Sequence, residues 1–303
     1  MADWIYAIEG TETGRWVALV LALMSAFFHA IFGALQKGRF DPWLTRGAID
    51  FCYGSMALLP ALFLVPLPSR EIWILLGIAW AIHLVYKLLL AMAYERAAFT
   101  VVYPVVRGTG PLVTVIFAGL IFGERFEALQ WFGVFLLSGG IFALALYNLR
   151  HLEVPLDVLK TAFILALLTG VTVAAYTTFD AYGMRASENP FTFLAWFFVV
   201  DGLVFPVIAW RRWHKMASPP PVKPLMIRGL IGGLIAFVSF GAVMLATRLD
   251  KVGEAAVLRE TSVVFAAFIG WFFLKETVGP RRLLMMATIA LGALVVEYGA
   301  SHG

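Results

Sequence analysis

The sequence predicts an all-α integral membrane protein whose ten transmembrane helices form two inverted five-helix repeats. Three observations carry that reading. Apolar residues make up 61% of the 303-residue chain and charged residues only 14%, against about 45–50% and about 25% in an ordinary soluble domain. Ten apolar stretches of the ~20 residues needed to cross a bilayer follow one another with short connectors. Polar residues in the two halves of the chain recur in one register. A soluble body of this size could not hide so much apolar surface, so lipid is its solvent. This composition excludes a cytosolic enzyme, a secreted disulfide scaffold and a disordered chain. The single Cys52 has no internal partner for a disulfide.

The stretches run near 16–36, 46–66, 71–93, 99–122, 127–147, 158–180, 190–210, 226–247, 252–274 and 280–298. The first lacks a basic flank and a small-residue cleavage site, so it reads as a retained helix rather than a removed signal peptide. Turns fall at Lys37-Gly38-Arg39, Pro66-Leu67-Pro68, Gly123-Glu124-Arg125 and Lys275-Glu276. The longest polar connector carries Arg211, Arg212, His214 and Lys215, then Pro219-Pro220-Pro221, which cannot continue a helix and predict a stiff extended loop. Ten helices leave no room for a soluble catalytic domain.

Val105, Arg107 and Thr109 recur as Val257, Arg259 and Thr261, Glu124 as Glu276 and Gly140 as Gly292, all at an offset of 152 residues. Apolar matches arise easily by chance, but paired intramembrane arginines and helix-end glutamates in one register do not. The halves are 16–147 and 158–298. Five crossings each force the second half to enter from the opposite face, the construction of many secondary transporters. Glu124 and Glu276 are therefore expected at opposite faces, each bonding helix-end N–H groups or a basic neighbour. Basic residues concentrate in the loops after helices one, three, five, seven and nine, which predicts cytoplasmic odd-numbered loops and external termini.

Lys87, Arg107, Asp201, Arg259 and Glu260 fall inside predicted spans, as do His29 and His83. A charge at the bilayer centre costs at least about 2.5–3.5 kcal/mol, so each must face a partner, a wet cavity or a substrate. His83 and Lys87 are four apart, with Tyr86 and Tyr94 nearby, which makes a polar stripe on an apolar helix. Lys87 either belongs to a site or snorkels toward the helix end near Arg96. Arg107 lies in Tyr103-Pro104-Val105-Val106-Arg107-Gly108-Thr109-Gly110-Pro111, whose prolines and glycines permit a kink or an unwound turn lining a cavity. Arg259-Glu260-Thr261-Ser262 holds the matching place in helix nine. Consecutive helical residues point about 100° apart, so Arg259 and Glu260 need not pair with each other. Asp201, in Val199-Val200-Asp201-Gly202, is the nearest rival partner for either arginine. Tyr86, Tyr103 and Tyr176, beside these polar positions, complete the candidate substrate site.

Three cations (Lys87, Arg107, Arg259) against two anions (Asp201, Glu260) leave one positive charge for a substrate carboxylate or phosphoryl group to answer. Asp50 would balance that sum. The alternative is a cationic amine held by the tyrosines against Glu260. No P-loop, HExxH, zinc-ligand spacing, GxSxG elbow or basic aromatic groove occurs. The expectation is a non-enzyme with no cofactor, no metal and no nucleic-acid partner. Its partners are a small molecule, the bilayer and a coupling proton or ion, and it works as monomer or homodimer.

With those residues in hand, the chain resembles the drug/metabolite transporter superfamily, EamA type, over almost its whole length. The resemblance rests on Ser25-Ala26-Phe27-Phe28-His29-Ala30 with Lys37, on Tyr103-Pro104 through Gly110-Pro111-Leu112 to Gly123-Glu124-Arg125, on Tyr176-Thr177 with Asp180 and Gly183, and on Leu258-Arg259-Glu260-Thr261-Ser262 with Lys275-Glu276. It implies a multi-pass transporter of the bacterial cytoplasmic membrane. The leading expectation is a secondary carrier working by alternating access. A non-transporting component of an envelope- or lipid-modifying system would instead pair every buried charge and leave no cavity. A channel would need a continuous water path.

Overall fold

The computed structural model describes residues 2–36, 40–96, 99–149, 156–272 and 279–302. These residues form helices and connectors, with no strand among them. The helices are α1 (Ala2–Ile8), α2 (Glu12–Gln36), α3 (Pro42–Phe63), α4 (Arg70–Arg96), α5 (Phe99–Phe122), α6 (Ala128–Leu149), α7 (Leu156–Ala186), α8 (Pro190–Asp201), α9 (Val204–Lys215), α10 (Val222–Leu249), α11 (Val252–Arg259), α12 (Ser262–Phe272) and α13 (Pro280–His302). The turns expected at Lys37-Gly38-Arg39 and Lys275-Glu276 lie outside the described residues.

Local chemistry sets several helix starts. Asp41 caps α3, its Oδ1 accepting from the N–H groups of Trp43 and Leu44 at 2.9 and 3.2 Å, with Pro42 pre-set in the first turn. Asn189 and Pro190 do the same for α8. Pro219-Pro220-Pro221 separates α9 from α10 as expected. Arg211, Arg212, His214 and Lys215 are not loop residues, however. They continue α9 to its end, because nothing before Met216 stops the helix.

Among the described residues, eight segments are long and apolar enough to cross a membrane. α3, which carries Arg46 and Asp50, and the interrupted pair α11–α12 complete ten crossings, as the ion pairs at the two faces require. On one face Arg212 of α9 joins Asp41, before α3, and Glu95, at the end of α4, at 2.9 and 2.5 Å. On the other, Arg248 of α10 meets Glu9 at 3.0 Å and Arg185 of α7 approaches Glu124 at 3.6 Å. Arg15, at the start of α2, donates to the carbonyl of Ala300, so both ends of the chain share that second face. α3 must then run from the first face to the second, and α11–α12 from the second to the first. The outward faces are apolar, with Leu120, Phe63 and Leu284 78%, 76% and 69% exposed, as a lipid-facing surface is.

The packing repeats with the sequence. α5 lies on α7, and the equivalent α11–α12 lies on α2; α2 lies on α10, and α7 on α4; α3 lies on α10, and α8 on α4. α6 packs on its own counterpart α13, and α3 on its counterpart α8–α9. Each contact between the halves therefore has its image under exchange of the halves. At the α6–α13 crossing a Cβ on Gly292 would lie 2.5 Å from Leu137 N, and one on Gly133 would lie 2.7 Å from Gly292 O. Only glycine lets these backbones approach so closely, the small-residue contact of membrane helix pairs.

Helix interruptions occur elsewhere than in the Pro- and Gly-rich stretch of α5. α5 is helical from end to end despite Pro104 and Pro111, and the hydroxyls of Thr109 and Thr114 bond back to the carbonyls of Val105 and Gly110. The unwound turn that these residues permit is absent there. Helix nine is broken instead, at Glu260-Thr261, and helix seven at Gly202-Leu203.

A buried candidate substrate chamber

The break in helix nine builds the chamber. α11 ends in a tight turn in which the N–H groups of Glu260 and Thr261 reach back to the carbonyls of Val257 and Leu258. This turn holds Arg259 and Glu260 inside the bundle, 2% and 3% exposed. Glu260 Oε1 accepts from Arg107 Nη1 at 2.7 Å, an ion pair across the two halves. The Arg107 guanidinium lies 5.3 Å from the centre of the Tyr103 ring. Arg259 turns the other way. Its Nη2 lies 3.5 Å from His29 Nδ1, and its guanidinium covers the Phe240 ring at 4.8 Å. An arginine only donates, so His29 Nδ1 is the accepting side of this contact.

Around this pair stand aromatic walls. His83 Nε2 bonds Asp180 Oδ2 at 2.8 Å, and the His83 ring packs 4.3 Å from Tyr176. Tyr176 in turn meets Tyr86 edge-on at 5.0 Å. A void of about 30 Å³ is lined by His29, Tyr86, Tyr94, Tyr103, Arg107 and Tyr176. Beyond Tyr176, a second void of about 10 Å³ touches Asp180, Phe240 and Arg259. Each has room for only a water or two. The chamber is thus contracted in this conformation, and Arg107 and Arg259 border adjoining compartments separated by Tyr176. Among the described residues, four of its buried polar atoms have no hydrogen-bond partner: Arg107 Nη2, Glu260 Oε2, Arg259 Nε and Asp180 Oδ1.

Two expected members belong elsewhere. Asp201 is not the partner of either arginine, and Lys87 does not snorkel. They meet each other: Lys87 Nζ lies 2.8 Å from Asp201 Oδ1 and 2.5 Å from Asp50 Oδ2, with its side chain 2% exposed. Neither residue lines the chamber voids. The reason is reach. Lys87 lies near the middle of α4, where two carboxylates are nearer than the helix end.

The sequence reading named Asp180 only within the family resemblance, missed Tyr53 and Arg46 as members of these clusters and gave Asp50 only a balancing role. Arg46 and Asp50 form an i,i+4 pair at 2.7 Å, a spacing legible in the sequence. Asp180 is a lone carboxylate in an apolar stretch, and that signal could have found it. Tyr53 offers no such signal. Glu124 accepts from the N–H groups of Val252 and Gly253 at 2.8 and 3.0 Å, so it caps α11 from the first half. Glu276 lies outside the described residues. Among those residues no cluster of three His, Cys, Asp or Glu could hold a metal ion.

Comparison with known proteins agrees with this architecture. The sequence model of the EamA-like transporter family matches residues 16–146 and again 160–298. An "uncharacterized transporter YwfM" of Bacillus subtilis (strain 168) is 23% identical over 290 residues, covering 92% of this chain and 93% of the relative. A solved crystal structure superposes with a TM-score of 0.75 at 15% identity, covering 96% of this chain and 98% of the other, which shows a shared fold. Matched twice along almost its whole length, the chain belongs to the EamA-like transporter family and is a multi-pass membrane transporter.

Proposed function

We propose that the protein is a secondary carrier of a small anionic or zwitterionic metabolite, bound between the two halves and moved by alternating access. The observation that carries the sign of the substrate is Arg259. It is buried, and no carboxylate among the described residues forms an ion pair with it. Beside it, Arg107 and Glu260 neutralise each other but leave one N–H group and one carboxylate oxygen unpaired. A carboxylate or phosphoryl group on Arg259 supplies the missing anion with a geometry the guanidinium fork fits. An ammonium on the same substrate finds Glu260 Oε2. The nearly closed voids fit an occluded step of the cycle, in which Tyr176 swings aside to admit substrate. One chain holds both halves of the chamber, so a monomer suffices.

A cationic amine is the second reading, favoured by the tyrosines at positions 86, 94, 103 and 176 that line one void beside Glu260's partner. Thermal stabilisation of the purified protein across a metabolite library tests both. Anions or zwitterions should raise the melting temperature of the wild type and fail to raise that of Arg259→Gln. Stabilisation by quaternary amines, abolished by Glu260→Gln and untouched by Arg259→Gln, would overturn the anion reading.

A further inference from the structure

The second buried cluster lies at the break in helix seven. α8 ends at Asp201, and the chain passes through Gly202 and Leu203 before α9 begins. A Cβ on Gly202 would lie 2.8 Å from Asp50 O and 2.9 Å from Gly54 Cα, so the break is pressed backbone to backbone against α3. Into this contact reaches Lys87 from α4. Its Nζ lies 2.5 Å from Asp50 Oδ2, 2.8 Å from Asp201 Oδ1, 3.0 Å from the Asp201 carbonyl and 3.1 Å from the Tyr53 hydroxyl. Tyr53 itself donates to Asp201 Oδ2. Arg46 holds the other oxygen of Asp50 at 2.7 Å. The charges of Arg46, Asp50, Lys87 and Asp201 cancel.

Four oxygens, two of them carboxylate and one a carbonyl at an interrupted helix, are what a membrane carrier offers a coupling cation. Here a tethered ammonium occupies the place. We propose that the Asp50–Lys87–Asp201 cluster is the proton-coupling site of this carrier, with Lys87 standing where a sodium ion would otherwise bind. The proposal rests on the carrier reading above and assigns these residues a role separate from substrate binding.

The chemistry is a competition for Asp201. In this conformation Lys87 and Tyr53 satisfy its carboxylate. Movement of the α8–α9 break away from α3 and α4 withdraws both donors. The bare carboxylate then takes one proton from the water of the open face. On closure that proton leaves to water on the other side, and Lys87 returns. The groups facing Asp201 are Arg46, Asp50 and Tyr53 from α3 and Lys87 from α4. One turn away on α4 is His83, which is held by Asp180 of α7. α10 contributes Phe237, packed on Phe198.

The test uses the purified full-length chain and needs no substrate. Its probes are sodium and the proton. Melting curves in sodium chloride and in choline chloride at equal ionic strength should coincide for the wild type. Lys87→Ala leaves the two carboxylates without their ammonium, and it should melt several degrees higher in sodium than in choline. A sodium-specific shift in the wild type overturns the proposal, and so does a folded Lys87→Ala indifferent to sodium. Infrared difference spectra between neutral and acidic pH provide the second readout, needed if Lys87→Ala does not fold. The carbonyl-stretch band of a protonated carboxyl should appear in the wild type and lose a component in Asp201→Asn. An unchanged band in Asp201→Asn overturns the assignment. Failure of the carrier reading shows elsewhere, as a metabolite library in which nothing stabilises the wild type.

Discussion

Arg107 of α5 and Glu260 at the break between α11 and α12 lie 2.7 Å apart, and this contact joins the two halves of the protein inside the bundle. Both side chains are almost wholly buried. Neither charge would be tolerable there alone. The pair therefore locks the broken helix of the second half onto the unbroken helix of the first, and sets Arg259 one residue away on the opposite side of the turn.

Glu260→Gln leaves the Arg107 guanidinium buried without its counter-charge. Loss of one partner of a buried pair costs about 3–5 kcal/mol. The variant should melt well below the wild type, and Arg107→Gln alone should do the same. The double variant should recover part of the loss, because two neutral amides can bond each other. Additive losses in this double-mutant cycle would show that the two residues do not interact.

Arg259→Gln should behave in the opposite way. Arg259 has no carboxylate partner among the described residues, so removing its charge orphans none of them and relieves a buried cation. The melting temperature of the ligand-free variant should equal or exceed that of the wild type, while stabilisation by anionic metabolites disappears. A drop as large as that of Glu260→Gln would mean that Arg259 is structural.

Gly292→Val drives a branched side chain into the backbone of α6, where even a Cβ lies 2.5 Å from Leu137 N. Overpacking of this kind costs about 1–3 kcal/mol. The repeat partner Gly140 faces Ile289 across the same crossing, and Gly140→Val should be destabilising too. Gly139 has open space where its Cβ would be, so Gly139→Ala is the control. It should be neutral, or stabilising by up to about 1 kcal/mol through helix propensity. Equal melting temperatures for the three variants would refute a close α6–α13 contact.

The basic loops predict which face is cytoplasmic. Ser218 lies in the connector between α9 and α10, and Ser301 near the end of α13 on the other face. With the buried Cys52 replaced by alanine, Ser218→Cys should be shielded in intact cells from a reagent that does not cross membranes. Ser301→Cys should be labelled. The reverse pattern would place the termini inside.

Most of the architecture was legible because it is written in composition and register. Apolar runs gave the crossings, and the 152-residue offset of Arg107 and Arg259 gave the repeat. The short α1 was missed, being only seven residues long before the first apolar run. The site was legible in part. His29, Tyr86, Tyr103, Tyr176, Arg107, Arg259 and Glu260 do converge, and His83 supports them. Lys87 and Asp201 form a cluster of their own. Helix breaks were misplaced for a clear reason. Proline and glycine show where a helix can be weakened, yet α5 keeps its form around Pro104 and Pro111. Glu260-Thr261, with neither residue type, opens where Glu260 is drawn to Arg107 and the adjoining Arg259 to His29.

The sequence by itself determined the solvent, the crossings and the inverted pairing of the halves, because these follow from residue type and spacing along one chain. Only the tertiary structure decided which buried charge answers which. Attraction between charges depends on separation, and separation depends on the rotation and tilt of each helix, which spacing leaves free. Lys87 thus found Asp50 and Asp201, and Arg107 found Glu260. Arg259 was left beside a histidine and an aromatic ring, without an ion-pair partner among the described residues.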